Sequence, residues 1–455
     1  MSGMKRAFAL IVLLAVLLFS APLISAGAEE YIVRLSDDLR LYSDTQQRFF
    51  VTDKAAAEQY LEYGLAEYIE PNSALELFSD GLSDSAWNLR LVNIAGAWRL
   101  GCYGNGVRVG VIDTGAANHS AVAAQLLPGE NVITGENAAD TTDNYGHGTF
   151  ISGIIAGAGG SFVSGLASRA YVVPLKFMSK NGNVTGGGDI ATAVRALNAA
   201  VSHGCKVVNM SFGTPTWSQL FEEAVNNAAA RGVIMVAAAG NISSKAPDPS
   251  VLQYPAAYGN VIGVSSVDSD RSIAASSFYN NSVFITAPGE SVTSIYPNGA
   301  AVTGSGTSFS APHVAALAAV AASIKPDIDT DGFKRLLIAS SDDLGTAGYD
   351  IYYGNGLINF GSCISELIKD REIFVSPVTE REDGSEVVIL NNTAAPLSAV
   401  AAARGESDGR MNAFYSQPVS LEVGQTCKFG AGFGAAGIYL WDSLANMQPL
   451  AEAVK

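Results

Sequence analysis

Between about Leu82 and Phe360 the sequence alternates short, almost continuously apolar runs with Ala-rich or amphipathic stretches of helical length. Such apolar runs suit parallel strands buried on both faces, and the stretches between them suit helical crossovers. The pattern predicts an α/β domain with a mostly parallel central sheet, whose functional groups belong at the carboxyl ends of strands. The strand-like runs are 107–113, 171–177, 206–212, 233–240 and 261–267, and the helix-like stretches include 188–204 and 219–232.

Two segments of different character flank this region. Residues 29–78 carry 11 acidic and 4 basic side chains and combine a strand-like run, 31–35, with a helix-like run, 53–64. They predict a small, acidic α+β unit. After about Leu367 helical periodicity gives way to strand-like segments separated by Gly, Asn, Asp and Ser, which predicts a small antiparallel β module.

The N-terminal residues predict a secretory signal peptide. Lys5 and Arg6 precede an apolar run from Ala7 to Phe19, and the small residues 26–28 follow. The alternative, a membrane-spanning helix, needs about 20 apolar residues, more than this run supplies. We expect cleavage after Ala28, secretion of the mature chain, and no later stretch long and apolar enough to span a membrane.

Composition limits the ligands of the chain. A net charge of -16 excludes a general phosphate-binding surface, so we expect no nucleic-acid partner, and it disfavours anionic membranes. The four cysteines are compatible with one or two disulfides or with buried free thiols. None has the CxxC spacing of a zinc or dithiol site. The cysteines are Cys102, Cys205, Cys363 and Cys427.

A general base at neutral pH has four histidine candidates. His203 precedes Gly204 near a predicted helix end, where it can complement the helix dipole. His313 follows Ser308 by five residues on one helix, which places it about 140° around the helix axis. Its ring therefore cannot reach the Ser308 hydroxyl. His119 lies in the loop after Asp113. His147 remains, at the start of the run HGTFISGIIAG, although such a histidine can also be an ordinary helix start.

Asp113 and Ser308 are placed to act with that histidine. Asp113 ends a predicted strand, where an Asp is commonly a turn residue but can also orient an imidazole. Ser308 follows a glycine-rich turn that opens into a long Ala/Val helix. It can be an N-cap, or a nucleophile beside the unpaired N–H groups of the helix start.

Asn241 is the fourth candidate, at the end of the apolar run VIMVAAAGN. An Asn after Gly is commonly a turn residue, but its amide could also donate a hydrogen bond to an oxyanion. Gly304 and Gly306 before a helix suggest dinucleotide binding. The third glycine of that fingerprint is missing, so a dinucleotide-binding oxidoreductase is disfavoured.

Together these motifs resemble the subtilisin-like serine proteases, the subtilases of peptidase family S8. The order Asp, His, Ser is that of the family, and the resemblance extends from about Trp87 to Phe360. It implies a three-layer α/β catalytic domain, placed at residues 79–363, and serine endopeptidase activity on proteins or peptides. The predicted β module then occupies residues 364–455. The matching motifs are 111–115, 147–149, 237–241 and 306–315.

The resemblance also assigns roles to individual residues. Asp113, His147 and Ser308 match the catalytic triad, and Asn241 with the backbone N–H of Ser308 matches the oxyanion hole. Two segments match the walls of the pocket for the residue before the scissile bond, and a third matches an edge that pairs with substrate backbone. The wall residues are Ser211, Phe212, Gly213, Ala238, Ala239 and Gly240, and the edge residues are Gly186 and Gly187. Gln253 is expected near the floor of the pocket.

Residues 29–78 resemble the family's propeptide, an intramolecular inhibitor that assists folding. We expect self-cleavage between Phe78 and Ser79, with Leu82 as the next choice. The calcium sites of related enzymes are poorly matched, because His119-Ser120-Ala121 lacks the usual aspartate and AGAGGSFVSG lacks side-chain oxygen ligands of the carboxylate or amide type. No cofactor is expected, although a weak calcium site stays open. The rival function is a catalytically silent binding protein of the same fold.

Overall fold

The computed structural model describes residues 30–35, 49–62, 66–71, 86–158, 164–181, 184–185, 188–242, 248–381, 384–407, 410–442, 449–451 and 453–454. The chain divides into two units, one within residues 1–80 and one within residues 81–455. The expected signal peptide and the expected cleavage site at Phe78 and Ser79 lie outside the described residues.

The N-terminal unit is an antiparallel sheet of three strands with one helix. Strand β1 (Glu30–Leu35) is central and pairs with β2 (Phe49–Asp53) and β3 (Ala66–Pro71). Helix α1 (Lys54–Glu62) follows β2 directly. The described part of residues 29–78 thus has the α+β character expected from the sequence.

The second unit is built on a seven-stranded sheet in which every pairing is parallel. Its strands are β4 (Arg108–Asp113), β5 (Glu130–Asn131), β6 (Tyr171–Lys176), β9 (Val207–Met210), β10 (Ile234–Ala238), β11 (Val261–Val267) and β12 (Ile285–Pro288). Between β6 and β9 lies the short hairpin of β7 (Lys180–Asn181) and β8 (Val184–Thr185), and after β12 the hairpin of β13 (Val292–Ile295) and β14 (Ala301–Gly304). The sheet order is β12-β11-β10-β9-β4-β6-β5. The predicted parallel sheet is confirmed.

Helices cover both faces of this sheet. They are α2 (Trp87–Leu91), α3 (Ile94–Arg99), α4 (His147–Ala156), α5 (Ile190–Ser202), α6 (Gln219–Ala230), α7 (Thr307–Ile324), α8 (Thr330–Ser340) and α9 (Phe360–Ile368), with a 3₁₀ turn at Ala123–Gln125. Alternate residues of one strand point to opposite faces, so Val111 joins a core with α4 and α7, whereas Ile112 joins a core with α5 and α6. This is the predicted three-layer arrangement.

Helix α7 is the central helix of the core. Within the described residues it is the one helix long and apolar enough to cross a membrane, with a mean hydropathy of 1.3. The expectation that no stretch after the signal peptide is long and apolar enough to span a membrane was therefore wrong. However, 83% of the helix is buried inside the protein, so its apolarity is explained by packing on all sides.

The C-terminal module consists of two antiparallel sheets that enclose a small core of their own. One sheet contains β15 (Ile373–Val375), β16 (Thr379–Arg381), β17 (Gly384–Asn391) and β20 (Thr426–Ala431), and the other contains β18 (Leu397–Ser407), β19 (Arg410–Leu421) and β21 (Gly437–Trp441). Helix α9 continues across residues 363 and 364, where the sequence placed the domain boundary. We therefore move that boundary to the end of α9.

The module packs directly on the three-layer domain. Phe374 of β15 is 1% exposed and belongs to the core around α7, and Leu390 packs against the same core. The Asn105 amide donates hydrogen bonds to Val378 O and to Thr379 Oγ1. Because Asn105 precedes β4, the module lies near the amino ends of the strands, away from the edge where a site is expected.

The four cysteines are free, and three of them are buried. Burial raises the pKa of the Cys102, Cys205 and Cys363 thiols to about 12. These thiols are therefore protonated and act as small apolar core groups. Of the two possibilities left open by the sequence, the structure has free thiols.

Candidate active site

The loop after β4 and the start of α4 bring Asp113 and His147 together. Asp113 ends β4 and His147 is the first residue of α4, as the sequence predicted. The His147 Nδ1 atom lies 2.9 Å from each carboxylate oxygen of Asp113. The Asp113 side chain is 4% exposed, whereas the His147 side chain is 23% exposed. The imidazole thus has one buried acidic partner and one accessible edge.

Gly148 permits this approach. A Cβ on Gly148 would lie 2.1 Å from the carbonyl oxygen of Gly115, so a larger residue would separate α4 from the loop after Asp113. In addition, the Gly148 N–H donates a 2.9 Å hydrogen bond to Thr114 Oγ1. The glycine after the histidine is therefore a requirement of backbone packing.

The electrostatic surroundings of His147 favour its protonated form. Burial lowers the pKa of this imidazole, but the charge of Asp113, its hydrogen bond and the charge of Asp143 together outweigh burial and raise the pKa above its usual value. A histidine that gains proton affinity in this way can accept a proton and then hold it as an imidazolium.

Ser308 is the second residue of α7, because the N-cap position is held by Gly306. The alternative that Ser308 serves as the N-cap is therefore wrong. Pro312 lies in the helix four residues on and has no N–H, so it cannot bond to the carbonyl of Ser308. The Ser211 hydroxyl donates a 2.7 Å hydrogen bond to that carbonyl instead. The serine thus sits at the positive end of a buried helix.

The start of α7 lies beside the imidazole of His147. The ring centroids of His147 and Phe309, the residue after Ser308, are 5.7 Å apart. The Ser308 hydroxyl donates a 3.1 Å hydrogen bond to Ser211 O and not to His147. In structures without substrate, catalytic hydrogen bonds are often long or not yet formed.

Asn241 is held against the start of α7 with its amide group oriented. Its Oδ1 accepts hydrogen bonds from the Thr307 N–H, at 2.9 Å, and from Thr307 Oγ1, at 3.1 Å. The Nδ2 donor is therefore directed away from Thr307 on an exposed side chain. A Cβ on Gly306, whose φ is +144°, would lie 3.1 Å from that nitrogen, so glycine keeps the space around the donor open.

Gln253 lies between the two predicted pocket walls. A Cβ on Gly240 would be 3.0 Å from Gln253 Cγ, and a Cβ on Gly213 would be 3.8 Å from Gln253 Oε1. The Phe212 ring packs on Phe177 with centroids 4.4 Å apart, which turns it toward the α5 layer of the core. The predicted edge residues Gly186 and Gly187 lie outside the described residues. The predicted wall residues Ala238 and Ala239 are buried, Ala238 as the last residue of β10 and Ala239 just after it.

The other histidines have structural partners. His313 is fully buried, and its two ring nitrogens contact Phe309 O at 2.8 Å and the Asn88 amide at 2.9 Å. Burial lowers the pKa of His313 to about 4, so the ring is neutral. His119 Nδ1 accepts the Ala121 N–H, and His203 lies 3.6 Å from Glu130. Within the described residues, His147 is the imidazole that joins a buried carboxylate.

Asp143 organises the site and was not singled out from the sequence. It is 3% exposed and joins the loop before His147 to both Thr114 and Thr149. Its sequence context is that of an ordinary turn residue, and only the three-dimensional contacts identify it. Asn209 begins the segment 209–213, which the resemblance assigns to a pocket wall. It is fully buried and donates a 2.9 Å hydrogen bond to Ser211 Oγ.

The described residues contain no group of three or more His, Cys, Asp or Glu side chains that could hold a metal ion. The segment 159–163, part of the run AGAGGSFVSG that matches a calcium loop poorly, lies outside them. At the other position, the Nδ1 atom of His119 accepts a backbone N–H, and Ala121 offers no side-chain ligand. The described residues of 119–121 therefore supply no side-chain carboxylate, which calcium prefers.

The sequence is similar to those of known proteases. A profile of the Subtilase family matches residues 104–356. The minor extracellular protease Epr of Bacillus subtilis is 32% identical over 310 residues, covering 66% of this chain and 46% of Epr, so the chain spans about half the length of that relative. Subtilisin DY of Bacillus licheniformis is 36% identical over 261 residues, covering 57% of this chain and 91% of the relative.

A solved structure with a similar fold is that of a protease from Pseudoalteromonas arctica. It has 27% sequence identity and a TM-score of 0.56, and the match covers 62% of this chain and 97% of that chain. The region matched by the family profile includes Asp113, His147, Asn241 and Ser308.

Proposed function

Because the chain belongs to the subtilase family of serine proteases, we propose that it is a secreted serine endopeptidase made as a self-processing zymogen. Ser308 is its nucleophile, His147 its general base and Asp113 the group that orients the base. Family membership supports the reaction class, and the contacts of these three residues support their individual roles.

One observation carries the proposal. A buried carboxylate, Asp113, makes two 2.9 Å contacts with Nδ1 of His147, so the proton on that ring is held at Nδ1 and Nε2 is left as the acceptor. Phe309, the neighbour of Ser308, lies against the same ring. Among the described histidines, His147 alone combines a buried carboxylate partner with an accessible edge.

The first half-reaction is acylation. The Ser308 hydroxyl turns from Ser211 O to His147 Nε2, which takes its proton as Oγ attacks the peptide carbonyl carbon. The new C–O bond gives a tetrahedral intermediate whose negative oxygen is bound by the Asn241 amide and the Ser308 N–H. The C–N bond then breaks, His147 gives its proton to the leaving amine, and an acyl-enzyme remains on Ser308.

The second half-reaction is hydrolysis of the acyl-enzyme. Water enters where the amine has left, His147 takes one of its protons, and the oxygen attacks the ester carbonyl. The intermediate collapses with return of the proton to Ser308 Oγ, which releases the acid product and regenerates the site. Asp113 stabilises the imidazolium in both halves without taking the proton.

Substrate binding is proposed along the segments that surround Gln253. Ser211 to Gly213 and Ala238 to Gly240 form the pocket for the side chain before the scissile bond, and the pairing edge includes Gly186 and Gly187. Main-chain pairing does not depend on substrate side chains, so many protein sequences are accepted. Gln253 supplies the restriction, because its side chain occupies space between the two glycines of the walls.

Export and processing complete the proposal. Residues 1–28 act as a signal peptide, residues 29–78 as an inhibitory propeptide, and the chain cuts itself between Phe78 and Ser79. An extracellular relative, Epr, supports export, and the α+β arrangement of β1 to β3 with α1 supports the propeptide. Substrates are proteins or peptides, and the catalytic reaction needs no cofactor.

The activity test compares the wild type with Ser308→Ala after purification. A fluorophosphonate probe should label the wild type on Ser308 and leave the variant unlabelled, and casein should be digested by the wild type alone. A wild type that is folded, unlabelled and inactive would favour the rival function, a silent binding protein of the same fold.

The processing test uses the same pair of proteins. Wild-type protein recovered from the culture medium should begin at Ser79, and the Ser308→Ala protein should retain residues 29–78. A Ser308→Ala chain that is trimmed in isolation would show that another protease makes the cut.

A further inference from the structure

Asp143 is a second buried carboxylate close to His147. It is 3% exposed, and its two oxygens accept five hydrogen bonds. Oδ1 accepts from Thr114 Oγ1 at 2.9 Å and from the N–H groups of Tyr145 and Gly146 at 3.0 and 2.7 Å. Oδ2 accepts from the N–H and the hydroxyl of Thr149, at 2.8 and 2.6 Å.

These donors come from both segments that carry the acid and the base. Thr114 follows Asp113, and its hydroxyl also accepts the Gly148 N–H, whereas Gly146 and Thr149 flank His147 in sequence. Asp143 therefore joins the end of β4 to the first turn of α4. The separation of His147 from Asp113 depends on this junction.

We propose that Asp143 is a positioning residue for the reaction, which holds His147 against Asp113 and places a second negative charge beside the imidazolium formed when Ser308 is deprotonated. The inference rests on the proposed function, since it assigns a role in the same proton transfer. Asp143 itself touches neither substrate nor the reacting atoms.

The hydrogen-bond partners of residue 143 favour an ionised carboxylate. An ionised carboxylate has only acceptor sites, and here both oxygens face N–H or O–H donors. An asparagine would direct its NH₂ group toward one of these two sets of partners, so at least one backbone N–H would face a donor instead of an acceptor. A cap or turn residue needs one acceptor oxygen, whereas this site uses two.

The neighbouring charges define what Asp143 contributes. Lys176 of β6 is 2% exposed, pairs in register with Asp113, and donates through Nζ to Thr142 O at 2.8 Å. Helix α7 presents the uncharged Phe309 ring to His147. The remaining titratable groups on the adjoining elements are Asp113, the exposed Asp140, and the phenols of Tyr145 and Tyr296.

The electrostatics agree with this role. Burial lowers the pKa of His147, and the charge of Asp143 is one of the contributions that reverse this effect, after the charge and hydrogen bond of Asp113. Removing the Asp143 charge lowers the proton affinity of the base. The neutral imidazole then persists to lower pH. However, it is a weaker proton acceptor, and the imidazolium that it forms is less stable.

The experiment measures kcat and KM against pH for wild type, Asp143→Asn and Asp140→Asn. Active sites are counted with the fluorophosphonate probe, so that only folded, reactive enzyme enters the rate. For Asp143→Asn we expect the acid limb of kcat/KM to move to lower pH, kcat to fall by about tenfold, and KM to stay within about twofold. Asp140→Asn removes the same charge from an exposed position and should retain the wild-type profile.

The outcomes separate the two proposals. If the wild type itself is unlabelled, the proposed function fails and this inference fails with it. If the wild type is labelled but Asp143→Asn keeps its acid limb and its kcat per active site, only the role of Asp143 is overturned. A loss of thermal stability without these kinetic changes also overturns the role of Asp143. Loss of a carboxylate with a purely structural role would lower the fraction of active enzyme and leave the kcat per active site unchanged.

Thr149 provides the test if Asp143→Asn does not fold. Thr149→Val removes a hydroxyl that donates to Asp143 Oδ2, whereas Thr149→Ser keeps it. We expect Thr149→Val to lower kcat per active site severalfold with KM unchanged, and Thr149→Ser to restore it. Equal kcat in all three proteins would overturn the proposal.

Discussion

Ser211 and Ser308 are joined by two reciprocal hydrogen bonds. The Ser211 hydroxyl donates to Ser308 O at 2.7 Å, and the Ser308 hydroxyl donates to Ser211 O at 3.1 Å. The first bond replaces the helical bond that Pro312 cannot make, and the second holds the Ser308 side chain in a resting rotamer. Ser211, proposed as a residue of the substrate pocket, thus also fixes the backbone of the proposed nucleophile.

Substituting Ser211 tests this second role. Ser211→Ala leaves the Ser308 carbonyl without its partner, and we expect a loss of about 1–3 kcal/mol in the free energy of unfolding together with a lower kcat. Urea denaturation and active-site-titrated kinetics measure the two effects. Ser202→Ala removes an exposed hydroxyl that bonds within α5 and serves as the control. Unchanged stability in Ser211→Ala would mean that another donor satisfies the carbonyl.

The raised pKa of His147 fixes the sign of the pH dependence. The base must be neutral, so activity is lost as the pH falls through this pKa, and the acid limb of kcat/KM should lie above 6.5, the ordinary value for imidazole. The same shift stabilises the folded state fully below the unfolded pKa, and this contribution is lost as the pH rises through the folded pKa. A rate profile with an acid limb below 6.5 would contradict the assignment.

Asp113→Asn should shift the acid limb of the kcat/KM profile to lower pH. The amide carries no charge and does not hold the Nδ1 proton, so the acid limb shifts to lower pH and kcat falls by about 10⁴-fold, as expected for loss of the correct tautomer. Comparing the profile with that of Asp270→Asn, an exposed surface substitution, controls for net charge. A variant with near wild-type kcat would remove Asp113 from the mechanism.

Asn241 should act through its N–H donor. Asn241→Ala is expected to lower kcat about 100- to 1000-fold with little change in KM, because the donor is used in the transition state. Asn241→Asp keeps an acceptor oxygen for the Thr307 N–H but lacks the donor. It should therefore be as slow as the alanine variant. A near wild-type kcat in Asn241→Asp would show that Asn241 serves only to stabilise the start of α7.

Gln253 should set the size of the accepted side chain. Gln253→Ala opens space between Gly213 and Gly240, and we expect the ratio of kcat/KM for peptides with Phe over Ala before the cut to rise by about tenfold or more. Gln417→Ala, an exposed change in the C-terminal module, should leave the ratio unaltered. An unchanged ratio in Gln253→Ala would place the residue outside the pocket.

The C-terminal module should be part of the folding unit of the catalytic domain. Phe374→Ala leaves a cavity in the core around α7 and should cost about 3–5 kcal/mol. Phe414, 49% exposed on the same module, is the matched control, and its substitution should cost far less. Separate unfolding transitions for module and domain in calorimetry would contradict this expectation.

Much of the domain was predictable because its physical signals are local. The strands β4, β6, β9, β10 and β11 are apolar runs buried on both faces, and their bounds agree with the predicted runs to within a few residues. Asp113 and His147 were placed at a strand end and a helix start by the same local patterns. Family resemblance then linked residues that lie far apart in the sequence.

Other features depend on contacts that no local pattern encodes. Asp143 has the sequence context of an ordinary turn aspartate, and its five donors come together only after β4 and α4 pack. The resting bond of Ser308 to Ser211 depends on the rotamer of one side chain. The continuation of α9 across the expected domain boundary follows from Phe360 and Ile364 packing into the core.

The burial of α7 has a consequence for how activity is lost. The proposed nucleophile, Ser308, lies at one end of a helix about 27 Å long that is 83% buried. Core helices of this kind commonly open only when the whole domain unfolds, so we expect no local melting step. Inactivation on heating should coincide with cooperative collapse of the whole domain, and a folded intermediate with a displaced nucleophile should not accumulate.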